Sequence, residues 1–174
     1  MLALFGRLSF FDGETSIIKK GRRKEMINVV IGIIVKQNKI LLIKRERGDF
    51  VGLWGLPGGK IEECEHIDTA IEREINEELG LQLKFRKLLG TATEIMHDKN
   101  STSILYCCEL LMETEQEIID PEFEYKWFSK EELMKSNFII ESDKMMIHQF
   151  YHQKEKNYLK LDCYREKEGK YFWK

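Results

Sequence analysis

Apolar positions recur along this chain with two different periods, and the changes of period mark out its elements. Residues 28–35 form an apolar run rich in β-branched side chains, followed by the polar pair Gln37-Asn38 and a second apolar run at 40–43. Two such runs across a short polar turn predict a β-hairpin. The first run is apolar at consecutive positions, so its strand is expected inside a sheet covered on both faces. Residues 48–59 are glycine-rich and carry Trp54 and Pro57, which excludes a helix and predicts an ordered loop. Beyond them Ile67, Ile71, Ile75 and Leu79 stand four apart, the stripe of a helix over residues 67–79. Gly80 stands where that helix should stop.

Further strands are expected at 83–93 and 103–111, and an acidic connection at 113–124 precedes a short strand at 125–128. Ser129 followed by Glu132 reads as a capping box opening a turn of helix. A last helix is expected over 142–153, and a hairpin around Glu168-Gly169 after Tyr158. These elements make an α+β fold. A chain of 174 residues suits one domain with short extensions. Residues 1–25 read as an N-terminal extension, 26–153 as the domain and 154–174 as a C-terminal extension.

Composition narrows the setting. A hydrophobic share of 43% and a charged share of 33% are those of a soluble globular protein. No apolar run approaches the roughly 20 residues of a membrane span, so no membrane association is expected. The apolar opening at 1–11 is broken by Arg7 and lacks a small-residue cleavage site, unlike a signal peptide. The net charge of -2 exerts no overall pull on nucleic acid, which is not expected as a partner. The basic run Lys19, Lys20, Arg22, Arg23 and Lys24 reads as a solvated linker, an RNA-binding patch being the alternative. The cysteines Cys64, Cys107, Cys108 and Cys163 form no C-x-x-C pair, as expected of reduced thiols in a cytoplasmic protein.

The helix carries the candidate chemistry. With Ile71 at zero on the helical wheel, Glu78 falls roughly 20° away and Glu74 about 60° away. Carboxylates so close to an apolar stripe are costly unless a cation or donor satisfies them. Arg73 can pair with one of them but cannot neutralise Glu74, Glu77 and Glu78 together, and Glu65 adds a fourth charge upstream. Hard oxygen donors clustered in this way suit Mg²⁺ or Mn²⁺. On the helix alone, an acidic face open to solvent is an equal alternative. Gly58-Gly59 just before it shifts the balance, because glycine lets the backbone approach an anion or offer a carbonyl to a metal.

Here the sequence resembles a known family. The Nudix pattern G-x5-E-x7-R-E-U-x-E-E-x-G-U, where U is bulky and aliphatic, is met by Gly59, Glu65, Arg73, Glu74, Ile75, Glu77, Glu78, Gly80 and Leu81. A chance match is on the order of one in a hundred million or rarer per start position. The approach LWGLPGGKIE at 53–62 and the later pair Trp127-Phe128 are similar to the family as well; Cys64, where many members carry glycine, departs from it. The resemblance implies the Nudix fold, an α/β/α sandwich around a mixed β-sheet. It implies a MutT-like hydrolase of the pyrophosphate bond in a nucleoside diphosphate linked to another moiety. Glu74, Glu77 and Glu78 would then hold Mg²⁺ or Mn²⁺ with the carbonyl of Gly58, and in some members the position of Glu74 is the general base. Glu65 is the implied supporting carboxylate, on metal or on Arg73, and Arg73 the residue that orients the glutamates. Many members are dimers, which leaves a homodimer open. A catalytically silent nucleotide sensor on the same fold is the alternative function.

Outside this stretch the signals thin out. Lys44, Arg45 and Arg47 follow a strand and could grip a phosphate; Glu122 and Glu124 resemble a late acidic position that supplies an extra base or ligand. Phe50, Trp54 and Tyr106 read as core before base-stacking residues, and His97 as an exposed loop residue. The submotifs of NADH, coenzyme A, ADP-ribose and dinucleoside polyphosphate hydrolases are missing, which leaves (deoxy)nucleoside triphosphates by elimination.

Overall fold

A computed structural model describes residues 26–152, 158–165 and 171–173 of the chain. The extension at 1–25 and the turn around Glu168-Gly169 lie outside the described residues. Strand β1 is Met26–Ile33 and β2 is Val35–Lys36, so the first apolar run is two strands, not one. β1 pairs with β7 (Ser101–Leu111) in parallel and with β5 (Gly58–Lys60) antiparallel, whereas β2 pairs with β3 (Lys39–Lys44) in a second sheet. The chain changes sheets at Ile34, whose carbonyl accepts from the Leu41 amide at 3.2 Å. The turn to β3 places Gln37 and Asn38 at φ 49 and 58, the left-handed pair that a two-residue hairpin of this twist requires.

The larger sheet continues from β7 to β6 (Lys84–Met96), then β9 (Tyr158–Arg165) and β10 (Tyr171–Trp173). The smaller sheet holds β2, β3, β4 (Trp54–Gly55) and β8 (Tyr125–Ser129). Helix α1 is Ile67–Leu79, α2 is Lys130–Lys135 and α3 is Glu141–His152. The capping box forms in full, Ser129 Oγ accepting from the Glu132 amide and the Glu132 carboxylate from the Ser129 amide. β6 runs three residues past its expected end, because Ile95 and Met96 stay in register with Thr102 and Ser101.

Alternation along the strands explains the layering. Val30 and Ile34 join Ala70, Ile71, Ile75 and Leu79 of α1 in one core, while Ile31 and Ile33 join Leu133 of α2 and Met146 and Ile147 of α3 in another. β3 divides likewise, with Leu41 and Ile43 in the first core and Ile40 and Leu42 in the second. β1 is thus covered on both faces, as its continuous apolar run requires, with helices on either side of a mixed sheet. All four cysteines are free and three are buried. No helix among the described residues is long and apolar enough to cross a membrane.

Candidate active site

Strand β5 and helix α1 bring the predicted residues together. Three isoleucine and leucine side chains of α1 (Ile71, Ile75 and Leu79) are wholly buried. Each contributes about 1.5–3 kcal/mol, enough to hold the helix down although Glu78 goes in with it. Gly80 ends the helix in the left-handed conformation, φ 67, with its amide on the Asn76 carbonyl. β5 lies against β1 at a separation only glycine permits. A Cβ on Gly58, whose φ is 140, would stand 2.2 Å from the Val30 carbonyl oxygen. One on Gly59 would stand 2.3 Å from Glu74 Oε2. The two glycines therefore have different clearances: Gly58 is fitted to a strand, Gly59 to a carboxylate.

Glu78 is 5% exposed, and its Oε2 accepts from the Gly58 amide at 2.8 Å. Its nearest cation, Arg45 Nη1, is 3.9 Å away. Burial pushes its pKa up to about 7, and Arg45 only partly opposes this. Burial also raises Glu74, half-covered on the next turn back, against the pull of Arg73. Glu77 is exposed. Arg73 reaches three of the carboxylates. Its Nε and Nη2 donate to the two oxygens of Glu65 at 2.9 Å each, and Nη1 donates to Glu74 at 2.9 Å and to Glu77 at 3.1 Å. A further Nη2 bond, 3.0 Å, ends on the Lys60 carbonyl. All five guanidinium N–H donors are thereby engaged, leaving none for a ligand. The pair with Arg73 lowers the pKa of Glu65.

Gly58, Gly59, Glu74, Glu77 and Glu78 line a cleft of 570 Å³, while Arg73 and Glu65 lie outside its wall. One arginine bonded to three carboxylates, with a fourth carboxylate buried beside them, leaves negative charge uncompensated. The donor set is oxygen only and hard, which fits Mg²⁺ or Mn²⁺. Among the described residues no three acidic, histidine or cysteine side chains yet converge on one point. Arg73 draws Glu74 and Glu77 to itself, and Gly58 holds Glu78.

The peripheral residues divide. Arg45 and Arg47 line the cleft, Arg47 in an ion pair with Glu122 and over the Phe123 ring. Glu122 lines it too, whereas Glu124 is bonded to Lys44 at 2.8 Å and is not part of the wall. Trp54 is core, packed edge-on against Phe128 at 5.2 Å, and Tyr106 packs against the α1 core. Phe50, by contrast, lines the cleft. His97 is tied down, bonded through Nε2 to Asp162 at 2.8 Å and stacked on Tyr164. Two buried carboxyls of the cleft wall, Glu94 and Asp143, carry no sequence signal, for each sits in an unremarkable stretch of β6 or α3. Asp143 Oδ2 accepts from the Leu56 amide at 2.7 Å, and burial raises its pKa to about 7.

Known proteins are similar to this chain in sequence and in fold. An ADP-ribose pyrophosphatase of Methanocaldococcus jannaschii is 54% identical over 61 residues, 35% of this chain and 36% of that protein. The chain thus spans about a third of that relative, and about half of an 8-oxo-dGTP diphosphatase of Buchnera aphidicola matched at 48% identity over 34% of this chain. Nucleoside triphosphatase NudI of Escherichia coli O139:H28 is 30% identical over 130 residues, 68% of this chain and 92% of that protein. The crystal structure of a MutT Nudix hydrolase from Burkholderia pseudomallei superposes with a TM-score of 0.61 at 26% identity, covering 72% of this chain and 98% of that one. The NUDIX domain model matches residues 26–150, from the first residue of β1 almost to the end of α3. A match of that extent, over the glutamate helix and both of its cores, makes this chain a member of the NUDIX domain family.

Proposed function

We propose that the protein hydrolyses the pyrophosphate bond of a nucleoside diphosphate linked to another moiety, with a (deoxy)nucleoside triphosphate as the substrate class. The observation that carries this reading is the under-neutralised set Glu74, Glu77 and Glu78 against the glycine strand in an open cleft. Mg²⁺ or Mn²⁺ held by these three glutamates and the Gly58 carbonyl would neutralise phosphate charge and acidify a bound water. The remaining steps belong to the chain. Glu74, with Oε1 on Arg73 and Oε2 facing Gly59, is our candidate to accept the proton of the attacking water. Arg73 holds Glu65, Glu74 and Glu77 in place and is a positioning residue, since its donors are spent. Arg45 and Arg47 supply the positive charge that meets the phosphates, Arg47 by exchanging Glu122 for phosphate oxygen.

The names of the relatives support this reading: an ADP-ribose pyrophosphatase supports the bond, and an 8-oxo-dGTP diphosphatase and a nucleoside triphosphatase support the substrate class. Four free thiols agree with a reducing compartment, the cytoplasm. The test is a panel of nucleoside triphosphates, sugar nucleotides and dinucleotides with Mg²⁺ and with Mn²⁺, the products identified to locate the bond cut. Failure to turn over any nucleoside triphosphate refutes the substrate class. Glu77→Gln and Glu78→Gln, folded but inactive, separate a hydrolase from a silent sensor, which has no turnover to lose.

A further inference from the structure

Strands β9 and β10 lie beyond the residues that match the domain, yet they are built into its sheet. β9 runs parallel to β6 from Thr91↔Tyr158 to Met96↔Cys163, and β10 pairs antiparallel with β9. Neither strand lines the cleft, but side chains of both touch residues on or next to its wall. The Tyr171 ring packs on Phe50 with centroids 4.6 Å apart and planes at 59°. Tyr164 stacks on His97 at 4.2 Å, and the Cys163 carbonyl accepts from the His97 amide at 3.1 Å. The turn that begins with His97 also carries Lys99, which is paired with Asp49. Asp49 and Phe50, adjacent residues of the cleft wall, are therefore held from outside by Lys99 and by Tyr171.

Phe50 depends on such support. Its φ of 63 is a left-handed conformation that a bulky side chain adopts only when its surroundings impose it. Gly48 and Gly52 on either side also have positive φ, and a Cβ on either would meet nothing within 4 Å. The loop is thus open beside Phe50 and anchored at it. The cleft that Phe50 lines also contains Met96 and Leu105, apolar walls in the space that holds the glutamates.

We propose that Phe50 is the surface on which the base of the nucleotide stacks, and that Tyr171 is the positioning residue that sets the Phe50 ring. The C-terminal strands then help to determine substrate specificity, although they lie outside the matched domain. This inference rests on the nucleotide reading given above.

The experiment compares two inhibitors of the full-length protein: an α,β-methylene nucleoside triphosphate, and methylenediphosphonate, which has phosphonates but no base. An aromatic pair contributes about 0.5–1.5 kcal/mol, so Tyr171→Ala should raise KM for nucleotide and Ki for the methylene nucleotide about two- to tenfold. Its kcat, and its Ki for methylenediphosphonate, should stay within about twofold. Tyr171→Phe keeps the ring and should bind like the parent protein. Phe50→Ala and the milder Phe50→Leu remove the stacking surface itself, and Phe50→Ala should cost on the order of tenfold or more. The double variant Phe50→Ala/Tyr171→Ala should bind no more weakly than Phe50→Ala alone, because Tyr171 acts through Phe50. Additive losses, or equal weakening of both inhibitors, would overturn the proposal. A parent protein that binds nucleotide while Tyr171→Ala and Phe50→Leu bind it equally well overturns this proposal alone. A parent that binds methylenediphosphonate but no nucleotide removes the nucleotide reading as well.

Discussion

Adjacent glycines that look equivalent in the sequence should fail in opposite ways when a single methyl group is added to each. In Gly58→Ala the new Cβ would stand 2.2 Å from the Val30 carbonyl oxygen and 2.9 Å from the Ile31 Cα, both backbone atoms of a central strand. Its φ of 140 is also foreign to an L-residue. Backbone strain of about 1–3 kcal/mol and overpacking of about another 1–3 kcal/mol should together cost about 2–6 kcal/mol. For a protein of this length the middle of that range, about 4 kcal/mol, lowers Tm by roughly 8–16 °C. In Gly59→Ala the obstacle is the Glu74 carboxylate, at 2.3–2.5 Å, the free end of a flexible side chain. It can swing aside, so Tm should move by less than about 2 °C. The swing takes Glu74 about 1 Å or more from its place, and a misplacement of that size costs on the order of 100-fold in kcat. Thermal unfolding of metal-free protein, with kcat and KM for a nucleoside triphosphate, reads both outcomes. A Gly59→Ala protein with normal kcat, or a Gly58→Ala protein with normal Tm, would refute the reasoning.

Other expectations follow from the same geometry. Glu78→Gln keeps an oxygen for the Gly58 amide and sheds a buried charge, so at pH 8 without metal its Tm should equal or exceed that of the parent while activity falls at least about 100-fold. Addition of Mg²⁺ or Mn²⁺ should raise Tm of the parent but not of Glu78→Gln; equal shifts would argue against Glu78 as a ligand. Asp143 has its folded pKa raised from 3.8 to about 7, so the folded state binds the extra proton. Its contribution to stability is therefore full at low pH and is lost as pH rises from about 4 to about 7. Asp143→Asn should flatten that part of the Tm–pH profile, and an unchanged slope would exclude Asp143 as its source. Ser129→Ala removes one bond of the capping box and should cost about 1 kcal/mol, roughly 2–4 °C in Tm by calorimetry.

What could be read in advance was local. The stripe from Ile67 to Leu79, the stop at Gly80, the turn at Gln37-Asn38 and the capping box at Ser129 each depend on residues a few positions apart. The closeness of Glu74 and Glu78 to the core is of the same kind, since helical periodicity alone determines it. Features that need a distant partner were not readable. β4 and β5 are strands only because β3 and β1 offer them edges; by composition they are a glycine loop. Asp143 reaches the cleft because its amide partner, Leu56, belongs to that loop. Glu122 lies on the cleft wall and Glu124 outside it, though both share one acidic stretch.

The parallel pairing of β1 with β7 joins residue 26 to residue 102, and the chain between them contains the glycine strand and the whole glutamate helix. On a growing polypeptide the acidic helix therefore emerges well before its sheet can close. Until then β1, the strand Gly58 lies against, lacks its other neighbour, and α1 lacks Cys108 and Leu110 of β7 to pack on, so the helix and its carboxylates are not yet held in place. Affinity for a divalent ion is thus acquired late, as a consequence of sheet closure. A nascent or partly unfolded chain should compete poorly for cellular Mg²⁺, and metal binding should report completion of the fold.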